Sequence, residues 1–227
     1  MARKSPAFVM AVLLVSWGGT LAGFPAEEAS GGEKIKLPPP QETSDVSIEE
    51  ALWQRRSVRA FSAQTPTWEQ VAQLLWAGQG INRPGANRRT APSAGALYPM
   101  VLYVVLPDGV YRYLPEEHAV IKTKTGDTRK MLSEAGLGQS ALYESPCIFV
   151  LCAVFEKTAS KYKDQAPRYI YEEAGHIAQN LLLQVISLGM GGVPIGAVIG
   201  PEAQKALDIP EGQEVVYVVA TGFEKKP

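Results

Sequence analysis

The run SPCIFVLCAVF, Ser145 to Phe155, contains no charge, and from Cys147 onward every side chain is apolar. A strand that is apolar at every position leaves no face for water, so it belongs inside a covered sheet and not at a solvated one. Cys147 and Cys152 are the only cysteines. Their odd separation puts the two side chains on opposite faces of a strand, which rules against a bridge and assigns both to core packing. Two further segments extend this architecture. Pro167 to Leu188 reads as one long apolar helix closing at Gly189, and MVLYVVLPDGVYRYLP reads as a hairpin turning at Pro107, Asp108 and Gly109. Asp127 to Leu137 reads as a helix, and EVVYVVATG is a final strand. The pattern predicts an α+β sandwich, with a central, mainly antiparallel sheet flanked by helices.

Composition removes several function classes. The chain has 22 basic and 23 acidic residues among 227, so no global field favours nucleic acid or an anionic membrane surface, and any anion site is local. Two cysteines and two distant histidines, His118 and His176, make no recognisable metal site. The first residues read differently from the rest. Arg3 and Lys4 precede an apolar run from Phe8 to Trp17, and small residues follow from Gly18 to Gly23, with Ala22 as a cleavage position. Residues 1–23 are therefore expected to be a secretory signal, with periplasmic export if cleaved and a membrane anchor if not. Residues 24–43 lack apolar periodicity and include three consecutive prolines, so they are expected to be a disordered tether ahead of a folded domain at 44–227.

Within the domain, Ser47 and Glu50 form a capping-box pattern for a helix that runs into RRSVRAF, Arg55 to Phe61. Thr67 starts a second amphipathic helix, TWEQVAQLLWAGQG. Three guanidinium groups within five residues form either a solvated helix end or an anion site, and the spacing alone leaves both readings open. The segment RTAPSAGALYP, Arg89 to Pro99, has small residues at Ser93, Ala94, Gly95 and Ala96 between two prolines. It is either an ordinary turn or a loop that lets backbone approach a flat ligand closely. KYKD at Lys161 to Asp164 reads as an exposed loop before the long helix.

In this order RRSVRAF, LLWAGQG, RTAPSAGALYP, VYRY, the pair Lys161 and Tyr162, and AGHIAQNLLLQV resemble the SagB-type dehydrogenase branch of the nitroreductase superfamily, over about Val46 to Gly222. The resemblance implies a nitroreductase-like sandwich, an intertwined homodimer and non-covalently bound FMN. It implies that Arg55, Ser57 and Arg59 hold the cofactor, with Arg56 also lying against it. Arginine forks match phosphate oxygens, and a serine hydroxyl adds a further hydrogen bond. Pro92, Ser93, Ala94 and Gly95 match a segment that lies near the flavin ring, usually from the other subunit. Pro194, Ile195 and Gly196 match a turn whose backbone donors face that ring. The chain departs from many nitroreductases in having Ala96 for an asparagine and Gly196 for an acidic residue.

In azoline-oxidising members of the branch, a Lys-Tyr pair at this point is needed for removing hydrogen from the ring. Lys161 and Tyr162 are accordingly the catalytic candidates, in a role that demands a pKa lowered by burial or by a cation such as Lys163 or Arg168. His176 is expected to be packed or hydrogen-bonded at an interface, with Asn180 one turn on as a candidate partner. The resulting expectation is an FMN-dependent oxidoreductase transferring two electrons as hydride, acting on a peptide azoline, a quinone or a nitro compound. The alternative is a non-catalytic flavin-binding protein of the same fold. NAD(P)H is a donor in the wider superfamily, but such cofactors are scarce outside the cytoplasm, so export argues against it here.

Overall fold

The computed structural model describes residues 32–86 and 88–226. In chain order these form β1 (Lys34–Lys36), α1 (Ile48–Gln54), α2 (Trp68–Gln79), β2 (Ile81–Arg83), β3 (Arg88–Arg89), β4 (Met100–Leu106), β5 (Gly109–Leu114) and β6 (Ala119–Thr125). There follow α3 (Arg129–Ala135), α4 (Ser140–Glu144), β7 (Cys147–Ala153), α5 (Phe155–Tyr162), α6 (Ala166–Ser187), β8 (Gly191–Ile195), α7 (Gly200–Leu207) and β9 (Glu214–Gly222). The main sheet has seven strands in the order β1-β6-β5-β4-β7-β9-β8, and each adjacent pair runs antiparallel.

β7 sits inside this order, and all seven of its residues are buried. Cys147, Phe149 and Leu151 join one core with Leu74 and Leu75 of α2 and Ile177, Leu181 and Val185 of α6. Ile148, Val150 and Cys152 join a second core with Leu132 of α3, Leu142 of α4 and Leu207 of α7. The strand alternation therefore sorts side chains into two cores, each covered by helices, and the cysteines stay free and buried on opposite faces. Burial pushes the Cys147 thiol up to about 12, so it behaves as a small apolar group.

The helix ends follow local chemistry. Ser47 caps α1 by accepting from Glu50 N at 3.1 Å, although the Glu50 carboxylate accepts from Gln54 and does not turn back. Thr67 and Gln70 make both halves of a capping box on α2.

Two expectations need correction. The tether expected over 24–43 is not what its described part forms. β1 pairs with β6 from Lys34↔Ile121 to Lys36↔Ala119, Leu37 is buried in the first core, and Gln41 exchanges hydrogen bonds with Gln73. The compositional reading missed this because a three-residue strand with two lysines is ordered by its partner strand and not by its own propensity. The second correction concerns the apolar run, whose strand ends at Ala153 while Phe155 starts α5. Lys161 and Tyr162 consequently stand in the last turn of a helix and not in a loop. The signal-peptide reading of residues 1–23 lies outside the described residues.

Candidate functional site

After α1 ends at Gln54, the chain runs beside the first residues of β8. Ser57 bridges Gly192, and Val58 N donates to Gly192 O at 3.1 Å. Val58 is buried, and a Cβ on Gly191 would come within 2.6 Å of its Cγ2. The approach therefore requires glycine at 191. Ser57 and Arg59 flank the buried Val58 and are both exposed, with Arg55 half-buried. Neither Arg55 nor Arg59 has a carboxylate partner among the described residues. Arg56 differs, because its guanidinium donates to Glu224 Oε1 at 2.6 Å. Of the three arginines, two have no carboxylate partner among the described residues, and the third is tied to the C-terminal segment.

β8 then carries Pro194 and Ile195 along the sheet edge, where a residue with no N–H leaves no ladder bond unmade. Gly196 follows the strand with its backbone exposed, and a Cβ there would meet only Tyr217 at 3.7 Å. Ser57 and the 194–196 segment thus belong to one edge, joined through β8.

The loop from Pro92 to Ala96 belongs to a different cluster. Ser93 Oγ accepts from Tyr98 N at 2.9 Å and closes the loop on itself. A short 3-10 turn spans Ala94–Ala96 with Gly95 at φ 61°. The position a Cβ would take on Gly95 lies 3.0 Å from Lys161 Nζ and 3.0 Å from Tyr162 OH. Two predicted groups far apart in sequence therefore meet, and Gly95 permits both the left-handed backbone and the contact. Lys161 is exposed and Tyr162 half-buried, with the Tyr162 ring set edge-on to Tyr169 at 4.9 Å between centroids. The cation suggested by Arg168 is engaged with Glu172 at 2.9 Å.

Behind the loop stands a group that the sequence reading passed over. Glu173 of α6 is only 2% exposed, and burial pushes its carboxyl up from 4.5 to about 7. Hydrogen bonds from Ser93 and Gln79 and the charge of Arg89 act the other way. Gln79 Nε2 lies 3.5 Å from the Glu173 carboxylate, and Gln79 Oε1 accepts from Arg89 at 2.6 Å. Arg89 also reaches Glu116 at 2.8 Å and stacks over the Tyr98 ring at 4.6 Å. The signal was legible, since Glu173 occupies a position in the buried stripe Ile170, Ala174, Ile177, Ala178 and Leu181 of its helix. His176 is exposed, and Asn180 donates to Ala77 O at 3.0 Å in place of the partnership expected with His176.

Two cavities bear on these clusters. One of about 290 Å³ is lined by Arg56, Val58, Met190, Gly191 and Glu224. A larger one of about 770 Å³, at the sheet end near Arg89, Tyr98 and Gln213, includes none of the predicted flavin residues. Among the described residues, no group of three or more His, Cys, Asp or Glu side chains is arranged to hold a metal, and no helix is long and apolar enough to cross a membrane.

The sequence pattern of the Nitroreductase family matches residues 52–223, which takes in both clusters. The chain belongs to the nitroreductase family, a family of flavin-dependent oxidoreductases. It is 34% identical over 184 residues to MJ1384 of Methanocaldococcus jannaschii, a protein named for the nitroreductases; the match covers 78% of this chain and 91% of that one. It is 30% identical over 118 residues to McbC, a microcin B17-processing protein of Escherichia coli, across 47% of this chain and 43% of McbC. Together with the motif order, that relative supports the SagB-type branch. A solved nitroreductase-type structure from Ralstonia eutropha JMP134 superposes with a TM-score of 0.79 at 29% identity, covering 86% of this chain and 90% of that one.

Proposed function

We propose that the protein is an FMN-dependent oxidoreductase of the SagB type, working as a homodimer, with a peptide azoline as its substrate class. The observation that carries this reading is that Lys161 Nζ and Tyr162 OH both lie 3.0 Å from the position a Cβ on Gly95 would take, so that loop and pair converge at one point. It is supported by the two arginines that keep their donors at Arg55 and Arg59, on an edge well apart in sequence.

In this reading Arg55, Ser57 and Arg59 hold the FMN phosphate through charge-assisted hydrogen bonds, each worth about 1.5–3 kcal/mol. The exposed backbone at Gly196 presents donors toward the ring, a role that does not need the acidic side chain found in many relatives. No described contact joins the Arg55 edge to the Gly95 cluster, so we infer that a second copy supplies the loop that covers the ring. When bound, the flavin supplies a two-electron acceptor for hydride. The chain's own task is the proton: Lys161 or Tyr162 receives it from the azoline carbon as hydride leaves. Export, from the pattern of residues 1–23, is part of this proposal and favours a donor or acceptor other than a nicotinamide.

The test incubates FMN-loaded protein with a thiazoline-containing peptide and follows loss of two hydrogens by mass. Conversion that falls about 100-fold or more in Tyr162→Phe or Lys161→Ala is the expected result. Turnover of a quinone or nitro compound alone removes the azoline assignment, and bound FMN with no turnover of any of them leaves a flavin-binding protein.

A further inference from the structure

The ladder between β8 and β9 ends at Ile195↔Val218, so residues 196–199 leave the sheet with no strand to hold them. Val198 N donates to Gly196 O at 3.0 Å and closes a three-residue turn, in which no described hydrogen bond uses the exposed N–H of Ala197. Two hydrogen bonds tie this turn to the connection between α3 and α4. Ile199 N donates to Ala135 O at 2.8 Å. Gln139, the residue before α4, donates from Nε2 to Ala197 O at 3.2 Å, across 58 positions of sequence, and from the same nitrogen to Gly136 O at 2.9 Å. A side-chain amide has two hydrogens, and here both serve backbone carbonyls. The donor is itself held in place. The chain turns through Leu137 at φ 59° and Gly138 at φ 74°, Gly138 N donates to Ser133 O at 2.8 Å, and Ser133 Oγ donates to Gln139 O at 2.9 Å.

We propose that Gln139 is a positioning residue for the flavin site, holding the Ala197 carbonyl and with it the direction of the Ala197 N–H. The proposal rests on the reading above that the exposed backbone at Gly196 faces the flavin ring. Peptide groups are planar, so a carbonyl held by Gln139 sets the plane of the 197–198 peptide. The bond from Val198 N to Gly196 O carries that constraint back to the 196–197 peptide, whose N–H is that of Ala197. A backbone donor fixed in direction favours negative charge opposite it, and it does so with no side chain at Gly196. A reduced flavin carries more negative charge than an oxidised one, so a donor held toward the ring favours the reduced state. Without the Gln139 amide the 196–198 turn keeps its own internal bond but loses its longest-range tie, and the donor is free to swing toward water.

The test uses Gln139→Met, which keeps the length of the side chain and removes both donors, with Gln139→Ala for the case where the methionine variant does not fold. Hydrogen exchange at the Val198 and Ile199 amides, followed by NMR on the full chain without ligand, reads the hold on the turn. The expected result is exchange about 10-fold faster than in the native protein. The second readout is the two-electron midpoint potential of the FMN-loaded protein. A loss of about 10-fold in preference for the reduced state corresponds to about 30 mV for a two-electron couple, and the potential is expected to fall by that much. Unchanged exchange overturns the proposal, and so does faster exchange with an unchanged potential. FMN uptake by the native protein separates the two claims. Native protein that takes up no FMN loses the flavin reading and this proposal together. Native protein that binds FMN, with variants that match it in exchange or in potential, loses this proposal alone.

Discussion

Arg56 and its neighbours differ by what already holds them. Arg56 donates to Glu224, whereas Arg55 and Arg59 have no carboxylate partner among the described residues. Removing a charged donor from a phosphate costs about 1.5–3 kcal/mol, or roughly 10- to 150-fold in affinity. Arg55→Ala and Arg59→Ala should each weaken FMN binding by that factor in a flavin-fluorescence titration. Arg56→Ala should change it by no more than about twofold, as expected for an exposed ion pair not directed at the ligand. Gly95→Ala tests the meeting point. An alanine at φ 61° is strained by about 1–2 kcal/mol, and its Cβ would press on the flexible ends of Lys161 and Tyr162. Melting should therefore show a modest loss of stability, while turnover falls tenfold or more. Glu173 yields a pH dependence. Its folded-state pKa of about 7 lies above the ordinary 4.5, so the stability associated with its neutral form is complete below about pH 4.5 and is lost as pH rises through 7. Glu173→Gln should accordingly gain stability relative to the native protein at pH 8, by about 1–3 kcal/mol in urea unfolding, and gain little at pH 5. Equal effects at the two pH values would contradict the buried-acid account.

At the scale of elements, what could be read from the sequence depended on whether an element's cause is local. β7 was legible because nine apolar residues in a row have few other uses. The α1 and α2 starts were legible because Ser47 and Thr67 act on residues three positions away. β1 was not, since its order comes from pairing with β6, more than eighty residues later, and from Leu37 entering the first core. The helical setting of Lys161 and Tyr162 was hidden for a similar reason: α5 is short, and its surroundings are set by packing against α6. Within the candidate site, the arginine motif and the PSAG loop were readable as types. The contact of Gly95 with Lys161 and Tyr162 was not, because nothing in either segment specifies the other. The consequence for β1 is direct. Leu37→Ala removes a buried side chain next to the edge strand and should lower stability by about 2 kcal/mol or more, measured by urea unfolding. An unchanged midpoint would show that the segment before Ser44 contributes nothing to the domain.

At the scale of the molecule, the candidate residues divide into an edge proposed to hold a phosphate and a loop beside the pair proposed to handle the proton, with no described residue contact between the two. The proposed homodimer would resolve that division by setting the loop of one copy over the edge of the other. Sedimentation of the flavin-saturated protein should give a dimer, and a saturated monomer would remove the shared site. The claim beneath all of these is that this member of the family carries FMN. The most direct measurement is the visible absorbance spectrum of the purified protein, followed by identification and quantitation of the flavin released on denaturation. One FMN per chain is the predicted result. A colourless protein that fails to take up added FMN would contradict the account.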